Sequence, residues 1–216
     1  MTMKKNTPRR YQTLVGMLAG VEALFLAAVI GLAPPIAGLL AGWWGSLPFV
    51  PEASIKYFAL GGLLLGLLAD LLFLRRWVRR ALGCSPLWPA LLYLFYSAGL
   101  FGFFMGVPVF NLLLGLPGGY YAGMRLRHHG ADQAAAQRGA RMAGWAAAGV
   151  LGVACLASWL PAYRDASLAA NIQGMFGLGT AISRESILAA SALGGIALVA
   201  LEYLLTRATT LFAYDI

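Results

Sequence analysis

Six apolar stretches separated by clusters of positive charge dictate what this chain can become. They fall at residues 11–32, 57–74, 86–105, 107–124, 142–160 and 187–206. A helix rising about 1.5 Å per residue needs roughly 20 apolar residues to cross the hydrocarbon of a bilayer. The stretches at 86–105 and 107–124 almost touch, yet arginines flank the pair at Arg75–Arg80 and at Arg125 and Arg127. Two crossings closed by a tight hairpin near Gly106 and Pro108 are therefore expected. With 60% hydrophobic residues in 216, the apolar side chains exceed what one soluble core can enclose. The expectation is an all-α polytopic membrane protein, residues 1–216 forming one transmembrane domain of six helices in one bundle.

Charge gives that bundle a direction. Thirteen of the sixteen Lys and Arg residues lie on one side of the six spans, leaving Lys56, Arg164 and Arg184 opposite. Cytoplasmic segments carry this excess, so both termini are expected in the cytoplasm and the protein in a bacterial-type inner membrane. Trp77, Trp88, Trp145 and Trp159 fall within three residues of span ends, as an aromatic belt requires, and Trp43 and Trp44 lie in the apolar connection between the first two spans. The net charge of +8 sits in short clusters beside apolar spans. Anionic lipid headgroups at the cytoplasmic face fit that pattern better than nucleic acid. The first span exceeds the apolar core of a signal peptide, and Ala33-Pro34-Pro35 makes a poor processing site, so it is read as a retained helix.

Two connecting stretches are apolar but too short to cross. Residues 36–50, set off from the first span by Pro34-Pro35, and residues 166–183, with Gly174, Gly177 and Gly179, are expected to lie in the interface or re-enter as lids. The loop at residues 125–141 is expected to be a solvated basic hairpin. Its adjacent His128 and His129 diverge by about 100° on a helix and make no metal pair. No metal and no cofactor are expected. Cys84 and Cys155 read as small apolar fillers.

Polar groups inside the spans carry the functional signal, because an ionisable side chain in hydrocarbon is costly. Glu22 falls midway along the first stretch and is the leading candidate for binding a proton or cation. Asp70 and Glu202 each precede an Arg by five residues, Arg75 and Arg207, and are expected to pair with it; both are also ligand candidates. Asn111 is a fourth candidate, for a ligand or a helix-crossing hydrogen bond. Gly115, Gly119 and Gly123 repeat every four residues around Pro117 and promise close helix packing or a gate.

Absent motifs narrow the classes. No apolar stretch contains a histidine for a Ser/His protease, and HExxH and P-loop signatures are missing. Enzyme activity is thus disfavoured, a lipid-modifying carboxylate pair being its one remaining form. Six spans, this length and cytoplasmic termini resemble in outline the substrate-binding components of energy-coupling vitamin transporters. The leading expectation is small-solute or ion binding and transport. The alternative is an accessory or assembly subunit of a membrane complex, partnered by other subunits or a second copy.

Overall fold

A computed structural model describes residues 9–176 and 183–216, with the backbone alone at 9–15, 172 and 174–176. All regular structure in the described residues is helical. Four helical stretches are long and apolar enough to cross a membrane: Gly16–Ser46, Glu52–Gly83, Gln133–Arg164 and Arg184–Asp215. The chain divides into two compact units, Met1–Cys84 and Ser85–Ile216. Lys4, Lys5, Gly177 and Gly179 lie outside the described residues.

The first unit is a long helical hairpin. Helix α1 (Arg9–Gly31) and helix α2 (Ala33–Ser46) are separated only by Leu32, itself in helical conformation at φ −77° and ψ −23°. Hydrogen bonds from Leu32 N to Ala28 O at 3.2 Å and from Ile36 N to Leu32 O at 3.4 Å carry the ladder across the junction. Pro34-Pro35 was expected to set residues 36–50 apart, and it does not. The prolines remove two backbone donors but stand in the first turn of α2, where proline's fixed φ suits a helix, and the bond from Ile36 N resumes the ladder beyond them.

Glycine explains how α2 lies so close to helix α3 (Glu52–Arg80). A Cβ added at Gly38 would strike Gly62 O, one at Gly42 would strike Phe58 O, and one at Gly66 would strike the Pro34 carbonyl. The two backbones therefore meet wherever small residues recur, as in small-xxx-small pairs. The pair Gly62 and Gly66, small residues four apart on α3, is one side of this seam.

Because α1 and α2 run on as one stretch, the first span is longer than its apolar pattern suggested, and its midpoint moves. Gly31 lies opposite Asp70 and Leu74, a Cβ there falling 4.0 Å from Asp70 Oδ2 and 3.4 Å from Leu74 Cδ1. Ala27 shares a groove with Leu74, Arg75, Val78 and Arg79. Five residues further toward the N-terminus, about 7.5 Å, Glu22 is level with the Arg79-Arg80 end of α3. It is half-buried there. Asp70 is the carboxylate near mid-hairpin, one turn from Gly66.

The second unit is built on three longer helices, a broken one and a short one. Helix α4 (Leu87–Phe103) ends in the expected tight turn, with Met105 at φ 54°, Gly106 at φ 81° and Gly106 N donating to Phe101 O at 2.7 Å. The stretch at 107–124 is not one helix: a 3-10 segment (Pro108–Leu114) gives way to helix α5 (Gly115–His128). Pro117 is the third residue of α5, so it starts that helix and does not kink it.

Most of the loop at 125–141 is helix as well. Helix α5 runs to His128, Gly130 turns at φ 65°, and Asp132 caps helix α6 (Gln133–Arg164) by accepting from Ala135 N at 2.7 Å. Helix α8 (Arg184–Asp215) lies antiparallel to α6, with Gly144 against Tyr203 and Gly195 against Cys155. Buried alanines at 136, 140, 147 and 148 let α6 pack closely with its neighbours.

Between α6 and α8 lies helix α7 (Leu168–Phe176), in the stretch expected to form a lid. Its entry is organised by Asp165, whose Oδ1 accepts from Ser167 Oγ at 2.6 Å and Ser167 N at 2.8 Å. Arg184 donates to the Tyr163 and Asp165 carbonyls at the end of α6. The Ser167 hydroxyl and amide, then Asn171 and Arg184, hold the Asp165 carboxyl below its ordinary range. A depressed carboxylate contributes order above its unfolded pKa and loses it as pH falls through the folded one. Hydrogen exchange at the Ser167 amide is thus expected to be slower in wild type than in Asp165→Ala at neutral pH. The two rates should converge in acid; a difference that persists there would rule out the carboxylate as the cause.

Candidate functional site

Helix α8 places Glu202, Thr206 and Thr210 at four-residue spacing, on one face. All three are buried, Glu202 and Thr210 completely. The glycines of α5 lie against that face. A Cβ at Gly119 would fall 2.5 Å from Thr206 O, and one at Gly123 2.7 Å from the Ala213 Cβ, so the two helices run parallel at backbone contact. Above Gly115 sit two side-chain oxygens: a Cβ there would lie 2.7 Å from Glu202 Oε2 and 2.8 Å from Thr206 Oγ1.

Helix α4 supplies the third wall. The Tyr93 hydroxyl donates to Glu202 Oε1 at 2.7 Å. One turn along α4, the Ser97 carbonyl and hydroxyl accept from Asn111 Nδ2 at 2.8 and 2.7 Å. A carbonyl only accepts, so the Asn111 amide can have its nitrogen on that side only. Asn111 Oδ1, Glu202 Oε2 and Thr206 Oγ1 are all buried without a protein hydrogen-bond partner. Thr209 and Thr210 satisfy their hydroxyls on the carbonyls of Leu205 and Thr206, at 2.8 and 2.7 Å. Thr206 does not, although the same bond is open to it on any helix.

Neither expected ion pair forms. Residues five apart on a helix diverge by about 140°, which turns Arg207 away from Glu202 and Arg75 away from Asp70. The Glu202 carboxylate takes Tyr93, while Arg207 Nε is buried without a partner. Asp70 Oδ1 is likewise buried and unpartnered. Asn111 does make the helix-crossing hydrogen bond anticipated for it. Glu22 and Asp70 belong to the first unit and Asn111 and Glu202 to the second.

Tyr93, Ser97, Thr206 and Thr210 were not anticipated. The signal was present in Glu202-xxx-Thr206-xxx-Thr210, a polar stripe with the same spacing as the Gly115, Gly119, Gly123 stripe. Chemically the group offers a carboxylate with a phenol on one oxygen and a free second oxygen beside a hydroxyl. Oxygen donors of this kind are chemically able to accept a proton or a small dehydrated cation. Among the described residues no three His, Cys, Asp or Glu side chains gather to hold a multivalent metal. The rings of His128 and His129 stand edge to face at 5.5 Å. Comparison with protein-family models, curated proteins and solved structures gives no match for this chain.

Proposed function

We propose that this chain is a small-ion carrier of a cytoplasmic membrane, with Glu202 as the group that takes and releases a proton or a monovalent cation. The observation that carries this reading is the buried Glu202 Oε2, unpartnered beside the equally unpartnered Thr206 hydroxyl. Ionisable groups inside apolar helices mark ion pathways, because desolvation makes them costly to keep for packing alone. The change from 3-10 to α-helix at Leu114-Gly115, next to these oxygens, adds support, since interrupted helices line binding sites in transporters.

In the full reading the shorter α4 and the pair of 3-10 segment and α5 also cross, which makes six spans with both termini cytoplasmic. The segregation of thirteen basic residues to one side supports that orientation. Thr2 and Asp215, replaced one at a time by Cys, should then resist a membrane-impermeant thiol reagent added outside sealed right-side-out vesicles. Labelling of either reverses the orientation.

The carrier reading is tested in proteoliposomes holding a pH- or sodium-sensitive dye. Wild type should move protons or sodium down an imposed gradient, and Glu202→Gln should reduce the rate to that of empty liposomes. Equal rates in wild type and Glu202→Gln remove Glu202 from the mechanism. Rates no greater than those of empty liposomes in wild type favour the accessory-subunit reading, for which the close glycine seams are equally suited.

A further inference from the structure

The Arg-rich end of the hairpin carries a groove that nothing in the ion-handling reading uses. Its floor is apolar, made by Ala27 of α1 with Leu74 and Val78 of α3. Its rim is cationic: Arg75 and Arg79, four residues apart on one face of α3, line the same groove and are exposed. Arg76 and Arg80 follow them around the helix, so four guanidinium groups crowd the last six residues of α3. One carboxylate, Glu22, is at this level on α1. The positive balance remains large.

We propose that this groove binds one anionic phospholipid, its phosphate between Arg75 and Arg79 and its acyl chain along Ala27, Leu74 and Val78. The occupant follows from two complementarities. A guanidinium pair matches phosphate oxygens, with each arginine able to donate two parallel hydrogen bonds. The apolar floor leads onto the exposed Leu67, Leu68, Leu71 and Leu72 of α3, a surface suited to hydrocarbon tails and not to a soluble anion. Trp77, on the same turn, sits where an aromatic side chain meets the headgroup region. Hence both the cationic rim and the apolar floor of the groove select a lipid.

The experiment uses the full chain in detergent, titrated with phosphatidylglycerol and read by native mass spectrometry as the fraction carrying one lipid. Each basic residue near an anionic surface contributes enough that removing two should weaken the first binding step on the order of thirtyfold. Arg75→Gln with Arg79→Gln is expected to show that loss. Arg138→Gln with Arg141→Gln, which removes the same charge from exposed positions of α6, is expected to leave the first step within about twofold, since screened surface charges act locally. Ala27→Trp, which fills the floor and leaves both arginines, should also weaken the step. Phosphatidylcholine should bind no better to wild type than to the Arg75/Arg79 variant. The proposal is overturned if both arginine pairs lower binding equally, which would describe a diffuse basic surface. It is overturned too if soluble glycerophosphoglycerol competes as well as the lipid does, which would describe a free-phosphate site.

Discussion

Gly123→Leu is expected to lower the thermal unfolding midpoint in detergent by more than any other single change in α5. A side chain at Gly123 has nowhere to go: its Cβ would strike Thr210 O and fall 2.7 Å from the Ala213 Cβ. Both obstacles belong to a helix whose facing residues Thr210 and Ala213 are completely buried, so neither can swing aside. Overpacking a filled core typically costs about 1–3 kcal/mol, and a backbone obstacle puts this site at the upper end. The same substitution at Gly149, where a Cβ would meet nothing within 4 Å, should leave the midpoint within the small range of surface changes. Matching midpoints for the two variants would mean that α5 and α8 do not pack through the glycine stripe.

That contrast shows which parts of the fold the sequence exposes. Gly115, Gly119 and Gly123 announce close packing through spacing alone, but Gly149 is as much a glycine as they are, and only its neighbours distinguish it. The apolar runs at 57–74, 142–160 and 187–206, and most of that at 11–32, marked helices long enough to cross a membrane, since hydrocarbon length and basic flanks are local properties of the chain. Their ends were less legible. Pro34-Pro35 reads as a break because two donors are missing, yet Leu32 keeps helical geometry and Gly66 leaves room for the Pro34 carbonyl. That information lies some thirty residues away.

The same distance effect governs how the candidate carboxylates are placed. Glu22 drew attention because it falls in the middle of an apolar run, but the run continues as helix to Ser46, and the register of the hairpin moves Glu22 to the arginine end. Arg207, five residues after Glu202, suggests an ion pair. Helical geometry separates that pair by about 140° and gives the carboxylate instead to Tyr93, 109 residues earlier. A partner at that separation leaves no trace in a single sequence.

Removing that partner should be the most informative change at the site. Tyr93→Phe deletes the hydroxyl on Glu202 Oε1 and leaves a buried carboxyl with neither oxygen on a protein donor. Leaving a buried acceptor unmade costs about 1–3 kcal/mol, and more when it is charged. Glu202→Leu is expected to cost a similar amount from the other side, by stranding the Tyr93 hydroxyl. Together, Tyr93→Phe and Glu202→Leu should cost clearly less than the two separate losses added, because replacing both partners by apolar groups leaves nothing unsatisfied. Glu202→Gln keeps an acceptor for Tyr93 and should sit close to wild type in stability. Unfolding midpoints of the four variants, measured under one detergent condition, close the cycle. Strict additivity would mean that the phenol and the carboxylate do not touch. Strong coupling together with a stable but transport-dead Glu202→Gln would separate the two duties proposed for the residue, packing through the hydrogen bond on Oε1 and ion binding through the unpartnered Oε2.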